Sequence, residues 1–303
     1  MAMAQSTRVA SLLTARTGCK VELVGLTTLG DVSKADLAQI GGTGVFVSEL
    51  RKGLLAGDID FAVHSLKDLP TWEDSALTLA AVPPRDDPRD ALAARSGAKL
   101  ADLPAGARIG TGSPRRAAQL LMLRPDARPV PIRGNAGTRL GKVSAGEVDA
   151  VVLAYAGLVR ISRLEAVTQV FETDEMMPAP GQGALAVECL ASRPDLAGLL
   201  HEVNDEPSRA ATEAERSLLA ALQAGCSAPI GAYAATTAGT NALRLDAIVA
   251  APGGGEALRA SAAGPAERAA AVGRQLAAEL LSRGGRTYTN VPEWHLHDGD
   301  DAK

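Results

Sequence analysis

The 303-residue chain is poor in aromatics, cysteine, histidine and lysine, and each shortage removes a class of explanation. Aromatic residues make up 3% of the sequence against 46% hydrophobic in all, so its cores must be aliphatic. The 22% of charged residues suits a soluble globular protein. Cys19, Cys189 and Cys226 lie far apart with no CxxC pair. That argues against a disulfide framework and points to a reducing cytoplasmic compartment. With only four histidines beside them, a structural zinc site is not expected. No apolar run is long enough to cross a bilayer. A net charge of −4 argues against broad nucleic-acid binding, although it leaves room for a local basic pocket.

Arginine, by contrast, is plentiful. Only seven of the 31 basic residues are lysine. Such a bias favours planar, bidentate contacts to carboxylates or phosphates, and GC-rich coding would also produce it. The opening MAMAQSTRVASLLTARTGCK has no acidic residue. It reads either as a transit peptide or as an amphipathic helix leading into a strand, VELVGL.

The length allows two or three domains. Residues 56–63, AGDIDFAV, align without gaps on residues 145–152, AGEVDAVV. Each copy follows a helix-like stretch, turns at Gly57 or Gly146, and enters an apolar run suited to a strand buried on both faces of a parallel sheet. The reading is two similar α/β units, with chance likeness of a common helix–turn–strand pattern as the alternative. Ligands of open α/β sheets sit beyond the carboxyl ends of strands, which marks the loops HSLKDLP and AYAGLVR. The segments 83–90, PPRDDPRD, and 177–183, MPAPGQG, read as two crossings between domains. The expected division is 1–83 with 184–203, then 89–177, then 206–303. In the last part a helix from Pro207 carries Ala211, Ala214, Leu218 and Leu222 and stops at Gly225. Alternating stretches (GAYAAT, LRLDAIVA, ALRASAAG) and an Ala-rich helix over 264–283 follow, so a small α+β domain with an antiparallel sheet is expected. The tail HLHDGDDAK reads as disordered.

Several clusters could carry chemistry. In RIGTGSPRR, Ser113 can cap a helix begun by Pro114, and Arg115 and Arg116 then make its N-terminus an anion site or merely a solvated helix start. PIRGNAGTR repeats the theme with Arg133 and Arg139, and Arg160 follows AYAGLV. Five arginines near strand ends suggest a small ligand bearing several carboxylates or phosphates. In HSLKDLP, Asp68 beside Lys67 could stabilise a cation or move a proton, or could cap backbone amides. His64 reads as a packed residue. Cys226 follows a helix C-terminus, where the dipole raises a thiol pKa, so its surroundings suit a packed thiol better than an activated nucleophile.

Seven stretches then stand in one order: HSLKDLP, RDDPRDA, IGTGSPRRAAQL, RGNAGTRL, DAVVLAYAGL, PAPGQGALAVE and AERSLLAALQAGCSAPIGAYA. Together they resemble the hydroxymethylbilane synthase (porphobilinogen deaminase) family, from about residue 22 to 285. The resemblance implies a transferase of tetrapyrrole and heme biosynthesis. Such enzymes condense four porphobilinogen units head to tail, with loss of ammonia, on a dipyrromethane primer. It implies two periplasmic-binding-protein-like α/β domains plus a cysteine-bearing α+β domain, and a cytoplasmic monomer with no nucleic acid or membrane partner. It implies that the dipyrromethane is held by a thioether to Cys226. Asp68 would be the catalytic carboxylate, stabilising the azafulvene cation. Ser65, Lys67, Ser113, Arg115, Arg116, Arg133, Arg139 and Arg160 would bind cofactor and substrate carboxylates.

Three departures stand out. The family opens with RIGTRxSxLAxxQ, of which MAMAQ matches only the tail, so an upstream start or a truncation is expected, with incomplete activity of the chain as written. Gln39 and Thr43 replace loop lysines, and Gly112 stands where the family usually has serine. A non-catalytic two-domain polycarboxylate binder and a thiol enzyme using Cys226 as acyl acceptor are the competing readings.

Overall fold

The computed structural model describes residues 1–26, 44–72, 74–224, 228–237 and 239–289. Cys226, Gln39, Thr43, the stop at Gly225 and the tail HLHDGDDAK therefore lie outside the described residues. In chain order the elements are α1 (Ala2–Thr17), α2 (Gly44–Ala56), β1 (Phe61–Ser65), β2 (Leu77–Ala81), β3 (Asp90–Ala94), β4 (Arg108–Gly110) and α3 (Pro114–Leu123). Then come β5 (Arg128–Val130), α4 (Ala136–Ser144), β6 (Ala150–Ala154), α5 (Tyr155–Arg160), β7 (Gln169–Val170) and β8 (Leu185–Leu190). Last are α6 (Pro194–His201), α7 (Glu206–Ala221), β9 (Ile230–Thr236), β10 (Ala242–Ala250), β11 (Ala257–Pro265) and α8 (Ala269–Ser282).

The internal repeat is a structural repeat. α2 leads through Gly57 into β1 as α4 leads through Gly146 into β6, and both glycines sit in the left-handed region at φ 78°. The hydrogen bonds match as well. Gly57 N donates to Leu54 O at 3.1 Å and Asp58 N to Gly53 O at 2.9 Å. In the second copy Gly146 N donates to Val143 O at 3.1 Å and Glu147 N to Lys142 O at 3.0 Å. This is a helix C-terminal motif that needs a residue free of the Cβ penalty, which is why the sequence places glycine there twice.

Sheet surroundings correct two expectations. Among the described residues β1 has no parallel partner: it pairs antiparallel with β8 in the three-stranded order β1-β8-β2, and its burial alternates along the strand. β6 is central in the order β5-β4-β6-β3-β7, parallel to β4 but antiparallel to β3. Both return strands arrive from outside the repeat, so the repeat unit itself carried no sign of their direction. The stretch VELVGL is not a strand; it runs as coil after α1, which ends at Gly18 with φ 74°. The N-terminal helix and the C-terminal α+β layout are as expected, with β11-β10-β9 antiparallel throughout. Leu218 of α7, Leu245 of β10 and Leu276 of α8 meet in its aliphatic core.

Residues 82–89 and 176–184 run side by side between the first two sheets. Asp86 N donates to Gly183 O at 3.2 Å, and Leu66 N to Ala184 O at 3.0 Å. Gly183 has φ 87°, and a Cβ there would stand 2.4 Å from Asp86 O, so only glycine fits this approach. The third sheet docks on the same segment through Ala232 N, which donates to Pro178 O at 2.9 Å.

Candidate active site

The first component is the loop after β1. Its backbone makes a single 3₁₀ turn over Leu66–Asp68, closed by Leu69 N donating to Leu66 O at 3.2 Å. Leu66 is fully buried and anchors the turn, while Lys67 and Asp68 stay half-exposed. Asp68 makes no side-chain hydrogen bond among the described residues, so it is not the backbone cap that one reading allowed. Lys67 Nζ donates to Gln182 Oε1 at 3.1 Å. Although part of Lys67 reaches solvent, its surroundings desolvate the ammonium, and Arg116 repels it. Together these pull its pKa down to about 8, against the opposing pull of Asp68 and Asp90. His64 is buried, with Nε2 3.4 Å from Glu188 Oε2, the packed histidine that was expected.

The second component is the start of α3. Ser113 caps it as its sequence suggested, accepting from Arg116 N at 3.5 Å, but the two arginines are neither solvated nor open. Arg115 Nη2 and Arg116 Nη2 each donate to Asp90 at 2.7 Å, and Gln182 Nε2 donates to the same carboxylate at 2.8 Å. Asp90 is inaccessible to solvent and its carboxyl titrates far below the usual range. Burial alone would raise it, and the two guanidiniums overcome that cost. Arg115 Nε remains buried without an acceptor. At Gly112 a Cβ would come 3.0 Å from Ile132 O, so the local backbone leaves little space for the serine of the family pattern.

The remaining arginines divide. Arg160 Nε donates to Asp86 Oδ2 at 3.0 Å and its Nη2 to Gly183 O at 2.7 Å, which ties α5 to both crossings. Arg8 of α1 pairs with the other oxygen of Asp86. Arg139 uses only Nε, donating to Gly134 O at 2.8 Å, and burial together with the nearby Arg116 lowers its pKa. Arg133 is exposed and has no side-chain partner among the described residues. Ser65 Oγ accepts from Gln5 Nε2 at 2.7 Å. Lys67, Asp68, Arg115, Arg116 and Arg139 thus share one electrostatic neighbourhood, in which four cations face Asp68 and Asp90. Arg160, Arg133 and Ser65 lie outside that set of contacts.

Sequence reasoning missed the carboxylates and amide that organise these arginines. Gln182 is fully buried and bridges Lys67, Arg116, Asp90 and Pro88 O. Glu215, also fully buried, accepts from Arg85 Nη1 at 2.6 Å, Gly181 N at 2.6 Å and Ala234 N at 2.8 Å, and so ties α7 to both crossings and to β9. The acidic residues of PPRDDPRD and the glutamine of PAPGQG are the available signals, but sequence reasoning gives neither a role in the site.

Known proteins resemble this chain along nearly all of it. Residues 1–197 match the family described as porphobilinogen deaminase, dipyromethane cofactor binding domain. Residues 210–282 match porphobilinogen deaminase, C-terminal domain. The porphobilinogen deaminase of Thermobifida fusca is 58% identical over 294 residues, 94% of this chain and 91% of that protein. Porphobilinogen deaminase 1 of Streptomyces coelicolor is 53% identical over 94% of this chain and 92% of its own. Among solved structures, the Bordetella pertussis BvgS VFT2 domain superposes with a TM-score of 0.40 at 20% identity, over 65% of this chain and 76% of that one. The family matches run through all three sheets, and the relatives are more than half identical along almost the whole length: this chain belongs to the porphobilinogen deaminase family.

Proposed function

We propose that Asp68 is the reacting carboxylate of the porphobilinogen deaminase reaction and that Lys67, Arg139 and Arg133 take the substrate's carboxylates. The chain is a transferase of tetrapyrrole biosynthesis that acts on porphobilinogen, and its N-terminal match is to a dipyrromethane-binding domain. The observation that carries the assignment is the state of Asp68. Its carboxylate has no hydrogen-bond partner among the described residues, yet it stands on a rigid turn beside a desolvated lysine and an excess of positive charge. A carboxylate so placed can stabilise a developing cation on the substrate and accept from a ring N–H.

The donor set fits a dipyrromethane, whose rings carry acetate and propionate groups. Arg139 keeps both terminal nitrogens free, Arg133 is unpaired among the described residues, and Arg115 Nε is a buried donor without an acceptor. When bound, the group supplies a primer to which each new unit is joined. Arg115, Arg116 and Arg160 serve chiefly by holding the floor of the site through Asp90 and Asp86, with Ser113 capping the start of α3. Ser65 offers a hydroxyl beside the loop. Attachment at Cys226 belongs to the same proposal, as do the domain division 1–83 with 184–203, 89–177 and 206–303, a monomer, and a cytoplasmic location.

Intact mass and a pyrrole-specific aldehyde reagent test the assignment. Cys226→Ser should lose both the mass adduct and the colour. Asp68→Ala should keep some adduct while losing about 10²–10⁴ of turnover. An unmodified wild-type mass with no colour would sink the attachment, and near-normal turnover in Asp68→Ala would sink the catalytic role.

A further inference from the structure

We infer that Arg216 is a positioning residue for Asp68, gripping the catalytic loop from the helix whose chain leads on to Cys226. The inference rests on the reading of Asp68 given above. Arg216 Nη1 donates to Leu66 O at 3.3 Å and to Leu69 O at 2.8 Å, and Nη2 donates to Pro70 O at 2.6 Å. These three carbonyls bracket Lys67 and Asp68, so one guanidinium spans the turn from its first residue to the residue that follows it. Only a planar fork with donors on separate nitrogens can reach all three; an ammonium is a single point.

Apart from Arg216, the backbone of the turn is held by its own Leu69 to Leu66 bond and by Leu66 N on Ala184 O, and the Lys67 side chain reaches Gln182. None of these bonds restrains Pro70, and none connects the loop to α7. Arg216 supplies that connection, while its neighbour Glu215 grips Arg85, Gly181 N and Ala234 N. Successive residues of α7 therefore hold the second crossing and the Asp68 loop at once. Burial lowers the Arg216 pKa, as does nearby Arg51, and Glu188 offsets part of the effect; the side-chain hydrogen bonds of Arg216 among the described residues all go to the loop.

The test uses the full chain with its covalent adduct verified by intact mass, comparing Arg216→Lys and Arg216→Ala with wild type. Positioning of a reacting group by as little as ~1 Å is worth up to about 10²-fold, so Arg216→Ala should lose roughly tenfold or more in kcat. KM for porphobilinogen should stay within about twofold, because the loop's carboxylate-binding groups are untouched. Arg216→Lys should recover part of the loss, and added guanidinium should partly restore Arg216→Ala. Wild-type kcat in both variants would overturn the inference. So would a loss that is equal in the two variants, unresponsive to guanidinium and matched by a fall in unfolding temperature. If Arg216→Ala does not fold, the Arg216→Lys kcat and KM decide alone. Near-normal turnover in Asp68→Ala would remove the underlying reading, whereas silent Arg216 variants beside an inactive Asp68→Ala would remove only the positioning role.

Discussion

Six arginines around the site form two groups that sequence cannot separate. Arg85, Arg115, Arg116 and Arg160 are covered and have carboxylate partners of their own in Glu215, Asp90 and Asp86. Arg139 and Arg133 begin or border helices of the same kind, yet no acidic side chain reaches them among the described residues. Both populations follow strand ends, and both look equally suited to an anion. The difference lies in what stands opposite. A guanidinium already neutralised in the interior holds chain segments together, while one left open in a cleft keeps its charge for a ligand.

The largest expected effect breaks the first population. Asp90→Ala would leave Arg115 and Arg116 as buried charges without a partner and should lower stability by about 3–5 kcal/mol, read by denaturant or thermal unfolding. A loss below about 1 kcal/mol would mean that these pairs do not hold the crossings. Arg139→Ala should do the reverse, leaving unfolding unchanged while raising KM for porphobilinogen by roughly tenfold or more, the worth of one charge-assisted contact of about 1.5–3 kcal/mol. Arg133→Ala should act in the same direction with a smaller effect, since this side chain is exposed and its contacts are screened.

Lys67 separates the populations by pH. Its folded pKa of about 8 lies below the ordinary 10.5, so between those values the unfolded chain binds more protons than the folded one. Stability attributable to Lys67 should therefore rise with pH across that window, as the difference between wild type and Lys67→Met. Carboxylate binding should weaken over the same range, because the ammonium is lost, and KM should climb above about pH 8. A KM for wild type that tracks Lys67→Met at every pH would remove Lys67 from the binding set.

Local signals served the reading where short-range chemistry decides structure. The aligned AGDIDFAV and AGEVDAVV became two helix–glycine–strand units with matching hydrogen bonds, because a left-handed helix end is encoded within a few residues. Ser113 and Pro114 announced α3 for the same reason. VELVGL failed because apolar residues make a strand only when a partner edge is available, and none among the described residues pairs with it. The direction of β8 beside β1 was equally out of reach, since its partner lies more than a hundred residues away.

The chain by itself therefore determined the aliphatic cores, the duplicated α/β unit, the C-terminal α+β layout and the set of cationic residues that face an anion. Only the tertiary structure decided which of those cations are spent. It brought Asp86 and Asp90 from one crossing, Gln182 from the other and Glu215 from α7 against arginines far off in sequence. Charge is a property of the residue, but whether it is neutralised depends on distances of about 3 Å, set by how separate segments pack.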